Sequence, residues 1–587
     1  MQPTLVERDP GANNRAPIVP RNSRLNSHDD IHAYAESVIL LYFDMDSTMV
    51  WMFRFTKLSQ FDMAFFNNLK PRSWLTKEYW ELHITRDGWS NEDVDVVPED
   101  KRTWRSIDFL WLWLSDGGNV GTMQQAGSII ALGLSWREAA VAIAVGNIII
   151  AAAVTLNGAI GSRHHIPFSI ASRASMGFYF SYFAVVSRLA LALLYFGINT
   201  YIGASCMQIM LRAIWPSFSE YPNALPASAG VTSSKLISYC VFWALQFPLL
   251  LIHPRKMRWL FFVKSVCVVA AAFALLGWAV RRTGGAGPIF SQTSKLQGAP
   301  KAWAYLSGVN VAISGKTTLA LNMPDLMRYA ERPSAAYWQM LFIPAVYWVF
   351  SFVGIVVASA GQAIYGRLLW DPTEIVAQWV TDNRAAAFFC AFAFGLATLG
   401  TNISTNSIAA SNDLAFLAPR WLNLRRGAVV TSLVGGWATC PWKIQASAQS
   451  LTTFLSGYVV VLAPLLAILV ADYWVVSRRR LDVPALYRNK GRYRYVSGVN
   501  WRALATLVVV VPINLPGLVN AINKNVEVGD AYARFYRASW FTSAFMAGAV
   551  YITLSTLFPP REIEVLVDCN TDEDVIHNTV TPSKDAV

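Results

Sequence analysis

From residue 107 to residue 558 the chain is a succession of apolar runs separated by short polar turns. Each run is roughly 20 residues long, the length of helix that crosses a hydrocarbon layer about 30 Å thick. In such a layer every backbone amide and carbonyl needs a partner, and a helix meets that demand within one segment. The expectation is an all-α integral membrane protein with about twelve transmembrane helices. They are expected over residues 107–131, 136–160, 180–214, 234–252, 259–280, 302–323, 338–364, 386–410, 428–445, 450–474, 503–523 and 538–558, called segments 1 to 12 below. Composition agrees: 54% of residues are hydrophobic and only 15% charged, where soluble proteins carry about 25% charged residues.

The net charge of +12 falls in the short loops between the runs, not on one soluble face. The expected partner is therefore the lipid bilayer and not nucleic acid. Lys and Arg in short loops mark the cytoplasmic side. With the amino terminus placed inside, the inner loops hold Arg163 to Arg173, His253 to Arg258, Arg328 to Arg332, Arg420 to Arg426 and Arg478 to Arg494. Arg281 and Arg282 go against this rule. The expected organisation is a cytoplasmic amino-terminal region over 1–105, a twelve-helix membrane domain over 106–558, and a polar, acidic cytoplasmic tail over 559–587. The polar start of the chain is not expected to be a signal peptide. The cysteines are scattered without a CxxC pair, so no metal site or disulfide framework is expected, and no cofactor. An enzyme is not expected either: His164 and His165 have no metal-ligand partner at useful spacing.

Two of the runs are broken. Segment 1 contains Ser115-Asp-Gly-Gly-Asn-Val-Gly121, a poor helix former, and segment 6 contains Ser314-Gly-Lys-Thr-Thr318. Unwound backbone at membrane depth is tolerated where it lines a cavity or is buried in protein. The two breaks lie five segments apart, and matching interruptions in two halves point to the substrate site of an inverted-repeat transporter. Two independent glycine kinks for helix packing are the alternative. The Ser-Gly-Lys-Thr run is not read as a phosphate-binding loop. Asn310 and Val311 stand where that loop needs its first glycine.

Asp116 and Lys316 sit in these breaks, and each costs about 2.5–3.5 kcal/mol at a helix centre on insertion scales. Tyr195 and Asn199 in segment 3 are four apart and share a helix face. A flat ring with a hydroxyl beside an amide suits a planar amide heterocycle. Segment 8 carries Asn402 and Asn406 among small residues, a composition that also serves helix packing.

The chain resembles the nucleobase–cation symport-1 family, and within it the fungal Fur-type permeases for uracil, allantoin and uridine. The residues carrying the likeness are Asn91-Glu-Asp-Val-Asp95, Lys101-Arg-Thr-Trp104, Gly133-Leu-Ser-Trp136 and Ser172-Arg-Ala-Ser-Met-Gly177. They continue through Leu319-Ala-Leu-Asn-Met-Pro-Asp325, Gly400-Thr-Asn-Ile-Ser-Thr-Asn-Ser407, Asn412-Asp413, Cys440-Pro-Trp442 and Ala471-Asp-Tyr-Trp-Val-Val-Ser-Arg-Arg479. The resemblance spans roughly residues 90 to 500. It implies a LeuT-like fold of two inverted five-helix repeats plus two further helices, with substrate held between segments 1, 3, 6 and 8.

By matching positions, the resemblance implies substrate contacts at Asn119, Tyr195, Asn199, Gly315, Lys316 and Asn406. Tyr195 stands where many members have Trp, and Asn199 where many have Gln. The family's sodium site has its equivalents here at Ser115, Gly118, Ala397, Gly400 and Thr401. Gly400 replaces a serine ligand, so only Thr401 keeps a hydroxyl for a hard cation that wants several oxygens. Proton coupling is therefore expected in preference to sodium, with Asp116 as first carrier and Lys316 as second. The expected function is proton-coupled symport of a nucleobase, nucleoside or allantoin-like heterocycle by alternating access at the plasma membrane. The alternatives are another heterocycle, such as thiamine or a specialised metabolite, or a non-transporting sensor on the same scaffold.

Overall fold

The structure, a computed structural model, describes residues 89–252, 258–285, 294, 296–523 and 525–560. The terminal regions expected to flank the helices lie largely outside the described residues, as does most of the basic run from His253 to Arg258. Among the described residues no β-strand forms, only the isolated bridges Trp104–Ala330 and Val496–Val499.

All twelve expected segments are helical. Segment 1 comprises α1 (Ser106–Gly117) and α2 (Val120–Ile130); segment 2 is α3 (Trp136–His164). A short loop helix α4 (Phe168–Met176) precedes α5 (Ser181–Ile214), α6 (Ser233–Leu250) and α7 (Arg258–Thr283), which are segments 3, 4 and 5. Segment 6 comprises α8 (Gly298–Ser314) and α9 (Thr317–Met327), and segment 7 is α10 (Gln339–Tyr365). After the loop helix α11 (Pro372–Asp382), segment 8 comprises α12 (Arg384–Thr401), a π-helical turn (Asn402–Ser407) and α13 (Ile408–Leu417). Segment 9 is α14 (Leu424–Trp437), segment 10 joins α15 (Ala448–Gly457) to α16 (Val459–Ala471), and α17 (Trp501–Ile522) and α18 (Ser539–Leu557) close the bundle.

Eight of the segments are long and apolar enough to cross a membrane as helices by length and composition. Segments 1 and 6 are divided. Segment 4 has 18 residues. Segment 9 has 14 residues, or about 21 Å of helix. It stops at Trp437 and not at the expected 445, because Cys440 takes a left-handed φ of 45° and Pro441 opens a new helical turn.

Local signals explain the helix starts. Ser135 and Glu138 form a reciprocal capping box at the head of α3: the Ser135 amide donates to Glu138 Oε2 at 2.8 Å, satisfying donors that the first turn leaves open. Around the membrane core, α3 packs on α8, α9 and α10, while α5 packs on α12 and α7 on α12 and α10. At one end Arg188, fully buried, ties three segments together. Its Nη1 donates to Asp325 Oδ2 at 2.8 Å and its Nε to Asp413 Oδ2 at 2.9 Å. Phe168 adds its backbone amide to Asp325 at 2.9 Å. A buried charge survives only when paired in this way.

Candidate functional site

Both helix breaks open onto one cavity of about 110 Å³ at the centre of the bundle. Its wall includes Asp116, Asn119, Tyr195, Asn199, Gly315, Lys316, Thr401 and Asn406, so every residue expected to contact substrate lies on one surface.

The break in segment 1 is held open by its own side chains. Asn119 caps α2: its Oδ1 accepts from the Thr122 amide at 2.9 Å, and its Nδ2 donates to the Asp116 carbonyl. Much of its amide is therefore committed to the backbone, which makes it a positioning residue in this conformation. Asp116 accepts from the Tyr347 hydroxyl through Oδ2, while Oδ1 is buried without a hydrogen-bond partner among the described residues.

The break in segment 6 is organised by a residue the sequence reading overlooked. Gln125 of α2 donates to the Val311 carbonyl at 2.7 Å and accepts from Lys316 Nζ at 3.0 Å. A Cβ on Gly315 would lie 2.3 Å from Gln125 Nε2, so a larger residue here would displace this amide. Lys316 Nζ also donates to the Ala312 carbonyl at 3.1 Å and stands 4.4 Å over the Tyr347 ring. An ammonium above an aromatic face is a cation–π contact.

Opposite the breaks, Tyr195 meets Tyr458 of segment 10 through their hydroxyls at 2.8 Å, and Tyr458 donates to the Ser314 carbonyl. This chain of hydroxyls joins segments 3, 10 and 6. Asn199 is partly exposed to the cavity and makes no side-chain hydrogen bond to another described residue. Asn406 donates to Asn402 Oδ1 at 2.9 Å. Asn402 itself is structural. Its Nδ2 lies 3.2 Å from the Phe196 carbonyl, from Thr200 Oγ1 and from Gln246 Oε1. Both asparagines lie in the π-helical turn, a form frequent at functional sites. Asn322 Oδ1, on the same cavity wall, is buried without a hydrogen-bond partner among the described residues.

The five cation-site equivalents also cluster, around a lysine. Lys264 of α7 is fully buried, and its Nζ donates to Thr401 Oγ1 at 3.1 Å and to the Ala397 carbonyl at 3.5 Å. Thr401 donates in turn to the Ser115 carbonyl at 3.4 Å. Gly118 packs against Val268, one turn along α7 from Lys264. A Cβ on Gly400 would lie 2.3 Å from Lys264 Cδ. The glycine that departs from the family pattern is thus the space the lysine fills, and these residues do not fit a sodium ion beside it. Asp116 lies within electrostatic reach of both Lys264 and Lys316. Lys264 was detectable by the rule that marked Asp116 and Lys316: a charged residue inside an apolar run.

A helical membrane bundle with two broken helices meeting at a polar central cavity is the architecture of a multi-pass solute transporter. Comparison with known proteins gives the family. Residues 96–542 match the family described as permease for cytosine/purines, uracil, thiamine, allantoin, and the chain belongs to that family. It is 37% identical to an uncharacterised permease of Schizosaccharomyces pombe, over 80% of this chain and 84% of that one. It is 31% identical to the uracil permease of Saccharomyces cerevisiae, over 80% of this chain and 76% of the relative. Among solved structures, it shares its fold with Mhp1, a nucleobase-cation-symport-1 family transporter in a closed conformation with bromovinylhydantoin bound. That match has a TM-score of 0.63 at 21% identity and covers 82% of this chain and 99% of the other. The chain is a transporter and not an enzyme.

Proposed function

We propose that the chain imports a uracil-, uridine- or allantoin-like heterocycle across the plasma membrane by proton-coupled alternating access, with both termini in the cytoplasm. The observation that carries this reading is the convergence of Tyr195, Asn199, Asn406 and Lys316 on the cavity shared by both helix breaks. The ring of Tyr195 offers a stacking face. Asn199 and Asn406 offer amides that can donate and accept at once, as a cyclic imide or ureide requires. Relatives named uracil, allantoin and uridine permease support this substrate class. Proton rather than sodium coupling is supported by Lys264, whose ammonium stands among the sodium-site equivalents. Asp116 is the proposed proton carrier, since one of its oxygens is buried without a hydrogen-bond partner among the described residues, within electrostatic reach of that lysine.

Uptake of radiolabelled uracil in a transport-deficient host, competed with uridine, allantoin, cytosine and thiamine, tests the substrate class. Competition by thiamine alone would replace it. Asp116→Asn is expected to abolish accumulation driven by an inward pH gradient, and intact pH-driven accumulation in that variant removes Asp116 from the role.

A further inference from the structure

A second cavity, of about 230 Å³, lies away from the substrate site, between the end of α3 and the chain leaving segment 10. It is lined by Arg163, His164, Arg478, Arg479, Arg480 and Leu481, without an acidic residue. Among the described residues none of these arginines has an ion-pair partner. The ordinary reading is a topology signal: arginines in a short loop hold that loop on the inner side. Topology needs the charges, but it does not need them gathered from two helix ends onto one cavity.

The gathering is built. A π-helical turn over Asp472–Val476 ends segment 10, and the Ser477 amide closes on the Asp472 carbonyl at 2.7 Å. The chain then takes left-handed φ at two successive non-glycine residues, Arg478 at 47° and Arg479 at 65°. Such residues are unfavourable for side chains with a Cβ, and backbone strain of this kind gathers at functional sites. The turn is pinned by the Arg480 amide on the Ser477 carbonyl at 2.9 Å. Across the cavity, His164 Nε2 meets the Tyr473 hydroxyl at 3.1 Å, and Trp474 Nε1 donates to the Leu156 carbonyl at 2.9 Å. The two helix ends are therefore fixed against each other. Val475 between them is exposed, as are Tyr337 and Trp338 on the neighbouring turn, a mix of apolar and aromatic side chains that marks a membrane–water boundary.

We propose that this cavity binds a phosphate ester carrying more than one negative charge. Guanidinium forks match phosphate oxygens two at a time, and basic pockets between helices at the cytoplasmic boundary suit phosphorylated lipid headgroups. The same chemistry is offered by a phosphoinositide in the inner leaflet and by a soluble phosphate ester. The site depends on neither the proposed substrate nor the proposed coupling ion.

The test uses the full chain in nanodiscs. One arm compares phosphatidylcholine discs with discs that also contain phosphatidylinositol 4,5-bisphosphate, and reads binding by native mass spectrometry and the shift in thermal midpoint. The other titrates soluble inositol trisphosphate onto the protein in phosphatidylcholine discs. Each arginine is expected to contribute about fivefold in apparent affinity. Replacing Arg478, Arg479 and Arg480 together by Gln should therefore weaken binding by about a hundredfold. Binding in the lipid arm alone assigns the site to a headgroup, and binding in the soluble arm to a free ester. Equal binding by the wild type and the Gln variant in both arms overturns the proposal. So does full binding by a variant with all three changed to Lys, which keeps the charge and removes the forks. Uptake and thermal melting of both variants identify any that fail to fold.

Discussion

Substituting Gly400 by Ser tests the role of Lys264 directly. The new Cβ would stand 2.3 Å from Lys264 Cδ, 2.9 Å from Cε and 3.0 Å from Nζ, where carbon atoms normally rest at about 3.5–4.0 Å. The lysine stem must move by more than about 1 Å, which takes the ammonium off Thr401 and Ala397. Losing hydrogen bonds to a charged group costs about 1.5–3 kcal/mol, and overpacking a core adds about 1–3 kcal/mol. A loss of about 3–5 kcal/mol is expected, a large share of the stability of a marginally stable protein. Lys264→Ala alone should also be severe, because it leaves Asp116 without one of its two nearby ammonium groups. The double variant, Gly400→Ser with Lys264→Ala, restores the space and sets a serine hydroxyl beside Thr401. Two hydroxyls with the carbonyls of Ser115 and Ala397 are the hard oxygen ligands that a small cation prefers. The assay is a double-mutant cycle on thermal midpoint in detergent, together with uptake measured with and without sodium. A positive coupling of at least about 1.5 kcal/mol is expected, with sodium-stimulated uptake only in the double variant. Additivity within about 0.5 kcal/mol, or wild-type behaviour of Gly400→Ser, refutes the reasoning.

Three further outcomes follow from the geometry. Asn402→Ala removes an amide shared by three acceptors on segments 3 and 4, so the melting temperature should fall by the equivalent of about 2–3 kcal/mol, while Asn406→Ala should mainly raise the KM for uptake. Tyr195→Phe keeps the ring but breaks the hydroxyl bridge to Tyr458; a change of about fivefold in apparent substrate affinity is expected, read from uptake kinetics. His165 lies beyond the end of α3, and burial, with Arg102 adding to it, holds its imidazole below the usual range. A base with a lowered folded-state pKa contributes stability above its unfolded pKa of about 6.5 and loses it as pH falls towards the folded value. The wild type should therefore lose more stability than His165→Gln between neutral and acidic pH in thermal melts.

Much of the fold was legible because the bilayer imposes one simple demand, an apolar helix of fixed length. Segment boundaries fell within a few residues where a capping residue marked them, as Ser135 does. Segment 9 was misjudged because a left-handed cysteine leaves no trace in hydropathy. The cavity was visible as two glycine-broken runs, since unwinding needs residues that form poor helices. What stayed hidden was the pairing of distant side chains. Gln125 and Tyr347 look like ordinary interior residues until Lys316 and Asp116 are set against them. Lys264 was open to the rule that marked Lys316, a charged residue inside an apolar run, but its place among the cation-site equivalents appears only once segments 5 and 8 pack together.

The π-helical turn over Asn402–Ser407 acts as a register device. Such a turn holds one residue more than an α-helical turn, and each residue of a helix advances the direction of its side chain by about 100°. Deleting a single residue here would leave a regular, unstrained α-helix that still spans the same depth. Winding all of its residues as regular α-helix instead would rotate one half of segment 8 against the other by about that angle. Asn406 and Thr401 could then no longer face the same cavity, although neither had been changed. The wide backbone form of this short stretch, and not only its residue types, therefore sets which way its asparagines face.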